Sequence, residues 1–313
     1  MLLRDHHTAA PHVASLATAV PTYAADQRYA EEFMRTHFGK RLSSRSRGLL
    51  RTVFSHPSIR KRHFAFDDPA CLVDEDPDKR IQRFRERAVE LSASAIASAL
   101  ERAGIGASDV TALVVNTCTG YVCPGISTYL IERLGLSRSI RAYDMVGSGC
   151  GGAVPNLQVA ETMVRTSGGV ALSVSVEICS ATFQMDNDLS LILSNALFGD
   201  GAAAAVVWDR RRGWELVASA ARYVPEQRET IRYVHKRGQL HNQLSLKLPE
   251  YVKKAATAAV ADVLAQRSLA VSDVSHWALH TGGEKIINAV RDEIGIPEER
   301  LGPTRRGLRE YGT

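Results

Sequence analysis

Cys150 lies in the run VGSGCGG at residues 146–152, where glycines on both sides let the backbone fold tightly and leave a thiol open to a substrate. The preceding residues read as a strand and the following ones, roughly Gly152–Arg165, as a helix. Cys150 would then sit at a helix N-terminus, where the dipole and the unpaired N–H groups depress a thiol pKa from its ordinary value of about 8.5. Pro155 agrees with this placement, because a missing N–H costs nothing within the first four helical positions.

A thiol nucleophile needs a base or an electrostatic partner. His280 ends the apolar run SHWALHT and precedes Gly282 and Gly283, which predicts a position at the carboxyl end of a strand, where α/β proteins build their sites. His276, an even number of residues earlier, shares that face and reads as structural. The same glycines admit a second chemistry. Gly147, Gly149 and Gly152 satisfy GxGxxG, and a strand ending in Glu177 follows, which is the spacing of a dinucleotide-binding turn. Against that, the strand before the turn is not the first of its sheet, and a cysteine occupies the spot a pyrophosphate would approach. A nucleotide-binding oxidoreductase stands as a rival on the residues alone.

The elements around these residues alternate. Ile81, Phe84, Ala88, Leu91, Ala95 and Leu100 form an apolar helical stripe over Arg80–Gly104, and Thr111–Cys118 is a continuous apolar run typical of a strand buried on both faces. A helix at Ile126–Leu136, a strand at Ile140–Val146, the glycine turn with its helix, and a strand at Val170–Glu177 follow. This succession predicts an α/β fold. ALFGDGAAAAVVW and WELVASAARYV read as adjacent strands, and Leu248–Leu269 as a long helix with Pro249 in its first turn. An internal repeat supports the duplication of a βαβ half: GASDVTALVVNTCTG from Gly106 recurs as AVSDVSHWALHTGG from Ala270, with Ser-Asp-Val offset by 164 positions.

Composition excludes several classes. The 313 residues are 45% hydrophobic and 23% charged, as in ordinary globular chains, and the net charge of +5 is scattered with only 6% aromatics, which disfavours nucleic-acid binding. A mild positive field suits anionic small substrates such as coenzyme A esters. Five cysteines, Cys71, Cys118, Cys123, Cys150 and Cys179, are odd in number and lack CxxC spacing, so neither a disulfide framework nor a metal site is expected. The N-terminal residues have no signal-peptide core and no stretch is long enough to span a bilayer, which predicts a cytoplasmic chain.

Together VVNTCTGYVCPGIS, MVGSGCGGAVPNL, SVEICSATF, ALFGDGAAAAVV and LHTGGEKIINAV resemble the type III polyketide synthases, the chalcone synthase-like enzymes of the thiolase superfamily, from about residue 13 onward. The wording of the first two is similar to bacterial members that make alkylpyrones or alkylresorcinols. The resemblance implies a thiolase-like fold of two duplicated halves in an α/β/α/β/α layering, with the halves at residues 1–213 and 214–313. It implies decarboxylative condensation of malonyl-CoA onto an acyl-CoA starter by a homodimer, with CoA thioesters as substrates and no metal or redox cofactor. Cys150 then matches the acyl-carrying nucleophile, His280 the triad histidine and Phe198 the gatekeeping phenylalanine. Cys118, Thr119, Cys179, Ala181 and Thr182 match pocket-lining positions, and Cys123 matches a residue crossing into the partner's cavity. Asn242 stands near the second gatekeeper of plant members, while Arg51 and His56 lie only near the CoA-phosphate positions. The family reads EYGN where this sequence ends Glu310-Tyr311-Gly312-Thr313, which predicts a C-terminally truncated chain lacking the triad asparagine and the last layer of the second half. A catalytically silent homologue that binds acyl-CoA or a partner subunit is the alternative.

Overall fold

The structure is a computed structural model that describes residues 10–73, 76–236 and 238–313; the N-terminal residues read for a leader, MLLRDHHTA, lie outside the described residues. The first half of the chain contains β1 (His12–Ala19), β2 (Ala24–Asp26), α1 (Gln27–Phe38), α2 (Ser44–Phe54), β3 (Lys61–His63), α3 (Pro77–Ala103), β4 (Val110–Thr117), α4 (Ile126–Leu134) and β5 (Arg141–Val146). There follow α5 (Ala153–Ser167), β6 (Val170–Ile178), α6 (Leu189–Leu197), β7 (Asp200–Trp208), β8 (Trp214–Glu215), β9 (Ile231–Lys236), β10 (Gln239–Leu244), α7 (Leu248–Ala265), α8 (Glu284–Ile294) and α9 (Gly302–Tyr311). The described residues group into two compact units, one of those within 10–20, 82–177 and 201–217, the other of those within 21–81, 178–200 and 218–313.

The first unit is built on a mixed sheet in the order β5-β4-β6-β7-β1-β8. Strand β4 pairs in parallel with both β5 and β6, and its residues are almost all buried, as a run apolar on both faces requires. Helix α3 turns Phe84, Ala88, Leu91, Ala95 and Leu100 inward, but Ile81 is 53% exposed and falls off the predicted stripe. Strands β7 and β8 are not neighbours: β1 lies between them, with His12 opposite both Trp208 and Glu215. The run expected to continue as a strand beyond Glu215 carries no ladder, since β8 is only two residues long.

In the second unit α1, α2 and α6 surround an aromatic and aliphatic core that includes Met34, Phe38, Phe54, Phe66, Phe183 and Ile192. Helix α1 starts on Asp26, whose carboxylate accepts from the Tyr29 N–H, and α2 starts on Ser43 in the same way. The β9–β10 hairpin pairs antiparallel, and a smaller core gathers Ile59, Ile287, Leu301 and Leu308. The expected strand SHWALHT forms no ladder. The Leu279 N–H instead donates to Thr304 Oγ1 at 3.0 Å, a side-chain partner that satisfies the backbone without a neighbouring strand.

The repeat survives as geometry. After α3, Gly104 at φ +65° and the Ile105 N–H bonded to Leu100 O close the helix; after α7, Ser268 at φ +54° and the Leu269 N–H bonded to Leu264 O do the same at an offset of 164. Asp109 then accepts from the Gly106 N–H at 3.1 Å, and Asp273 accepts from the Ala270 N–H at 2.8 Å.

Candidate active site

Cys150 lies on a single 3-10 turn, Gly149–Gly151, between β5 and α5, and is exposed. Gly147 at φ +82° and Gly149 at φ +59° take left-handed conformations that only glycine adopts without strain, which is why the turn is glycine-flanked. Beneath it a buried polar network fixes the first turn of α5. Asn156 Nδ2 donates to Asn116 Oδ1 and to Val174 O, both at 2.8 Å, while Ser173 Oγ donates to Asn156 Oδ1 and Ser175 Oγ to Asn116 Oδ1, both at 2.7 Å. A side chain at Gly152 would place its Cβ 2.7 Å from Asn116 Nδ2, so the network and the turn fit only with glycine there.

Cys118 and Thr119 follow the end of β4, beside the end of β6. There Glu177 accepts from the Cys118 N–H at 3.0 Å and from Thr119 Oγ1 at 2.7 Å, and Thr117 Oγ1 donates to it at 3.2 Å. Removal from water pushes the Glu177 carboxyl up, the hydrogen bonds from Thr119 and Cys118 oppose that, and negative charge at Cys150 pushes it further up. Glu177 is therefore tied to the Cys118–Thr119 turn and feels the charge of the thiol. Sequence reasoning met Glu177 only as the acid of a dinucleotide turn; the signal missed was an acidic residue at the carboxyl end of a strand whose flanks are otherwise apolar. Cys123 is exposed in the loop before α4, where Gly125 packs against the Asp144 carboxylate.

The second unit gathers the other predicted residues. Cys179, Ala181 and Thr182 share one 3-10 turn, with Thr182 Oγ1 donating to Cys179 O at 2.9 Å. Cys179, Thr182, Phe198 and Asn242 line one cavity, of about 660 Å³ including its open mouth; Ala181 is buried in the turn and does not reach it. Phe198 follows α6, whose last carbonyls all find donors. Gln27 Nε2 reaches Ala196 O at 2.8 Å, and Arg62 reaches Asn195 O at 2.7 Å and Phe198 O at 2.8 Å. Thr313 completes the set, its N–H bonded to Leu197 O at 2.9 Å and its carbonyl accepting from the Gly199 N–H at 2.8 Å. Arg62 is 1% exposed; burial lowers its pKa to about 9, opposed by the charges of Asp200 and Cys179.

His280 is exposed, and its ring packs over Gly282, where a Cβ would lie 3.1 Å from the ring. Thr313 Oγ1 donates to the carbonyl of the next residue, Thr281, so one residue ties the histidine turn to the backbone flanking Phe198. His276 is exposed, with Ser275 Oγ 3.0 Å from its Nδ1. Arg51 is exposed on α2, and His56 Nε2 stands 3.4 Å from the Glu284 carboxylate. Among the described residues no group of His, Cys, Asp and Glu is arranged to hold a metal ion, and no helix is long and apolar enough to cross a membrane.

The chain is 29% identical over 316 residues to 3,5-dihydroxyphenylacetyl-CoA synthase of Streptomyces toyocaensis, covering 96% of this chain and 79% of that one. It is 28% identical over 322 residues to the alpha-pyrone synthesis polyketide synthase-like Pks18 of Mycobacterium tuberculosis, with the same coverage. The crystal structure of PKS-I from the brown alga Ectocarpus siliculosus superposes with a TM-score of 0.89 at 27% identity, over 99% of this chain and 87% of that one. A model of the family described as FAE1/Type III polyketide synthase-like protein matches residues 27–274, and with that match across most of its length the chain belongs to the type III polyketide synthase family.

Proposed function

We propose that the chain condenses malonyl-CoA onto an acyl-CoA starter with Cys150 as the acyl carrier. The observation that carries this reading is Cys150 on its glycine-flanked turn at the start of α5, in a chain matched to the family across that turn. The Cys150 thiolate attacks the starter carbonyl, the new thioester forms and CoA thiolate leaves. Malonyl-CoA then loses CO2, and the electrons of the broken C–C bond form an enolate whose oxygen His280 stabilises. The enolate carbon attacks the Cys150 thioester, forming the C–C bond and expelling the thiolate. Phe198 steers the malonyl group and excludes water, while Cys118, Thr119, Cys179, Ala181 and Thr182 shape the space for the growing chain. None of these steps calls for a metal or redox cofactor.

In this reading the chain acts as a cytoplasmic homodimer. Support for a second copy comes from β5, an edge strand with Tyr143 53% and Val146 52% exposed, next to the loop that carries Cys123 and the 72% exposed Tyr121. The test is incubation with a radiolabelled acyl-CoA and malonyl-CoA, followed by peptide mapping and product analysis. Label on Cys150 alone, lost in Cys150→Ala, is the expected result. Label that persists in that variant, or that appears on Cys118 or Cys179, overturns the assignment.

A further inference from the structure

The β9–β10 hairpin, which no step of the proposed reaction uses, is fastened to the head of α6 through one histidine. His241 on β10 is 4% exposed, with Nε2 3.0 Å from an Asp188 carboxylate oxygen and Nδ1 3.2 Å from Gln184 Oε1. The Gln184 amide is held in this orientation because its Nε2 donates to Leu240 O, so an oxygen faces Nδ1. Asp188 Oδ1 meanwhile accepts from the Ser190 N–H at 2.9 Å as the cap of α6. Both ring nitrogens therefore face acceptors. Only an imidazolium donates from both, whereas a neutral ring turns one lone pair toward an oxygen.

The clamp reaches the cavity through the next residue. Asn242, also buried, lines that cavity with Phe198 and donates through Nδ2 to Ser194 Oγ at 2.8 Å. Tyr233, opposite Asn242 on β9, has its hydroxyl 3.4 Å from Thr182 Oγ1. Packed against β10 are β9, α6 and the Cys179–Thr182 turn. Their titratable groups are Arg232, Tyr233, His235 and Lys236 of β9, Cys179 of the turn, and Asp186 and Asp188 ahead of α6. Arg232 and Lys236 share the face of His241 from diagonal positions but are exposed, with Arg232 bonded to Glu229 at 2.6 Å, and Asp186 accepts from the Asp188 N–H at 2.6 Å. Asp188 is the carboxylate that pairs with the ring. Burial pushes its carboxyl up, but the hydrogen bonds from His241 and the Ser190 N–H, with the charge of His241, outweigh that and hold it below its ordinary value. We propose that His241 is a positioning residue, clamping the hairpin to α6 while both ring nitrogens carry protons and releasing it, and Asn242 with it, when one proton is lost. The clamp stands on these bonds; its bearing on condensation rests on the acyl-transfer reading above.

Amide hydrogen exchange of the whole chain between pH 5.5 and 8.5, corrected for the intrinsic rates, tests it. A tie that needs the proton is present below the ordinary imidazole value of about 6.5 and is lost as pH rises through the value in the folded chain. Protection of the β9 and β10 amides should fall about ten- to a hundredfold over that range, while that of β4 stays level. His241→Gln keeps one donor at every pH and should make the hairpin's protection level. Asp188→Asn keeps the cap of α6 but removes the charge, and should move the fall to lower pH by about one pH unit. This second variant keeps the test decisive if the first fails to fold. Level protection in the unaltered chain, a fall that persists in folded His241→Gln, or one that does not move in folded Asp188→Asn overturns the proposal. Turnover of acetyl-CoA with malonyl-CoA separates the two claims: pH-dependent protection without condensation defeats the proposed function alone, and condensation with level protection defeats the clamp alone.

Discussion

Asn116 and Asn156 share a hydrogen bond of 2.8 Å directly under the turn that carries Cys150, and both are buried. Their amides join β4, β6 and the start of α5, so the position of the thiol is set by two residues that never meet a substrate. Asn156→Leu would leave Asn116 Oδ1, Ser173 Oγ and Val174 O short of a partner, at a cost of about 1–3 kcal/mol for each buried group not resatisfied. Urea unfolding should show that loss. Iodoacetamide labelling under native conditions should also slow at Cys150 while Cys123 is unaffected. Equal labelling of Cys150 in a destabilised but folded variant would separate stability from positioning and remove the second claim.

Gly152→Ala tests the same contact from the other side. The added Cβ falls 2.7 Å from Asn116 Nδ2 and 3.2 Å from Gly149 O, and backbone on one side of the squeeze cannot rotate away. The variant should lose about 1–3 kcal/mol, as overpacked positions do, and should lose most of it only while Asn116 is present. Unfolding of Gly152→Ala with and without Asn116→Ala, as a double-mutant cycle, checks the coupling.

Glu177 gives a prediction in pH. Desolvation raises its pKa in the folded chain, so the folded state holds this proton to a higher pH than the unfolded state does. A raised acid contributes stability that is present below the unfolded value of about 4.5 and lost as pH rises from there through the folded value. Glu177→Gln keeps an oxygen for the Cys118 N–H and carries no charge, so it should match the unaltered chain in acid and exceed it at neutral and alkaline pH. Chemical denaturation between pH 5 and 9 measures the difference, and a gap constant across that range would contradict the assignment.

Much of this was legible in the residues. The strand β4, the glycine turn and the helix after it follow from apolar runs and from glycines at positive φ, which are local signals. The hydrogen bonds that fix the surrounding candidate residues are not local: Glu177 reaches Cys118 and Thr119 across 58 or 59 residues, and the Arg62 donors meet the end of α6 more than 130 residues away. SHWALHT illustrates the opposite failure, because an apolar alternating run predicts an extended segment but not a neighbouring strand to pair with. Thr304 takes the place of that neighbour at Leu279.

Arg62 carries the heaviest single load in the second unit. Arg62→Met would strip donors from Asn195 O and Phe198 O and remove the positive charge facing Asp200, which holds the Ala65 and Ser180 N–H groups. Breaking one side of such a buried arrangement costs about 3–5 kcal/mol. Arg62→Lys should rescue little, since an ammonium cannot span the Gln27 and α6 acceptors at once. Thermal melts of both variants against the unaltered chain give the comparison, and full rescue by lysine would show that charge alone matters.

The repeated helix ends allow a paired substitution whose two members should move in opposite directions. Gly104 and Ser268 occupy equivalent left-handed positions, at φ +65° and +54°, with the same bonds closing α3 and α7 behind them. An L-residue pays about 1–2 kcal/mol for that conformation, whereas glycine pays only a larger loss of chain entropy on folding. Ser268 is exposed and no hydrogen bond of its side chain is part of the cap. Ser268→Gly should therefore stabilise the chain by about 0.5–1 kcal/mol. At Gly104 a Cβ would meet nothing closer than the Arg212 guanidinium at 3.8 Å, so Gly104→Ala isolates the backbone cost without a clash and should destabilise by about 1 kcal/mol. Urea midpoints of both variants decide it. If the two shift in the same direction, the helix ends are not energetically equivalent, and the 164-residue repeat is then a likeness of shape that the local energetics do not share.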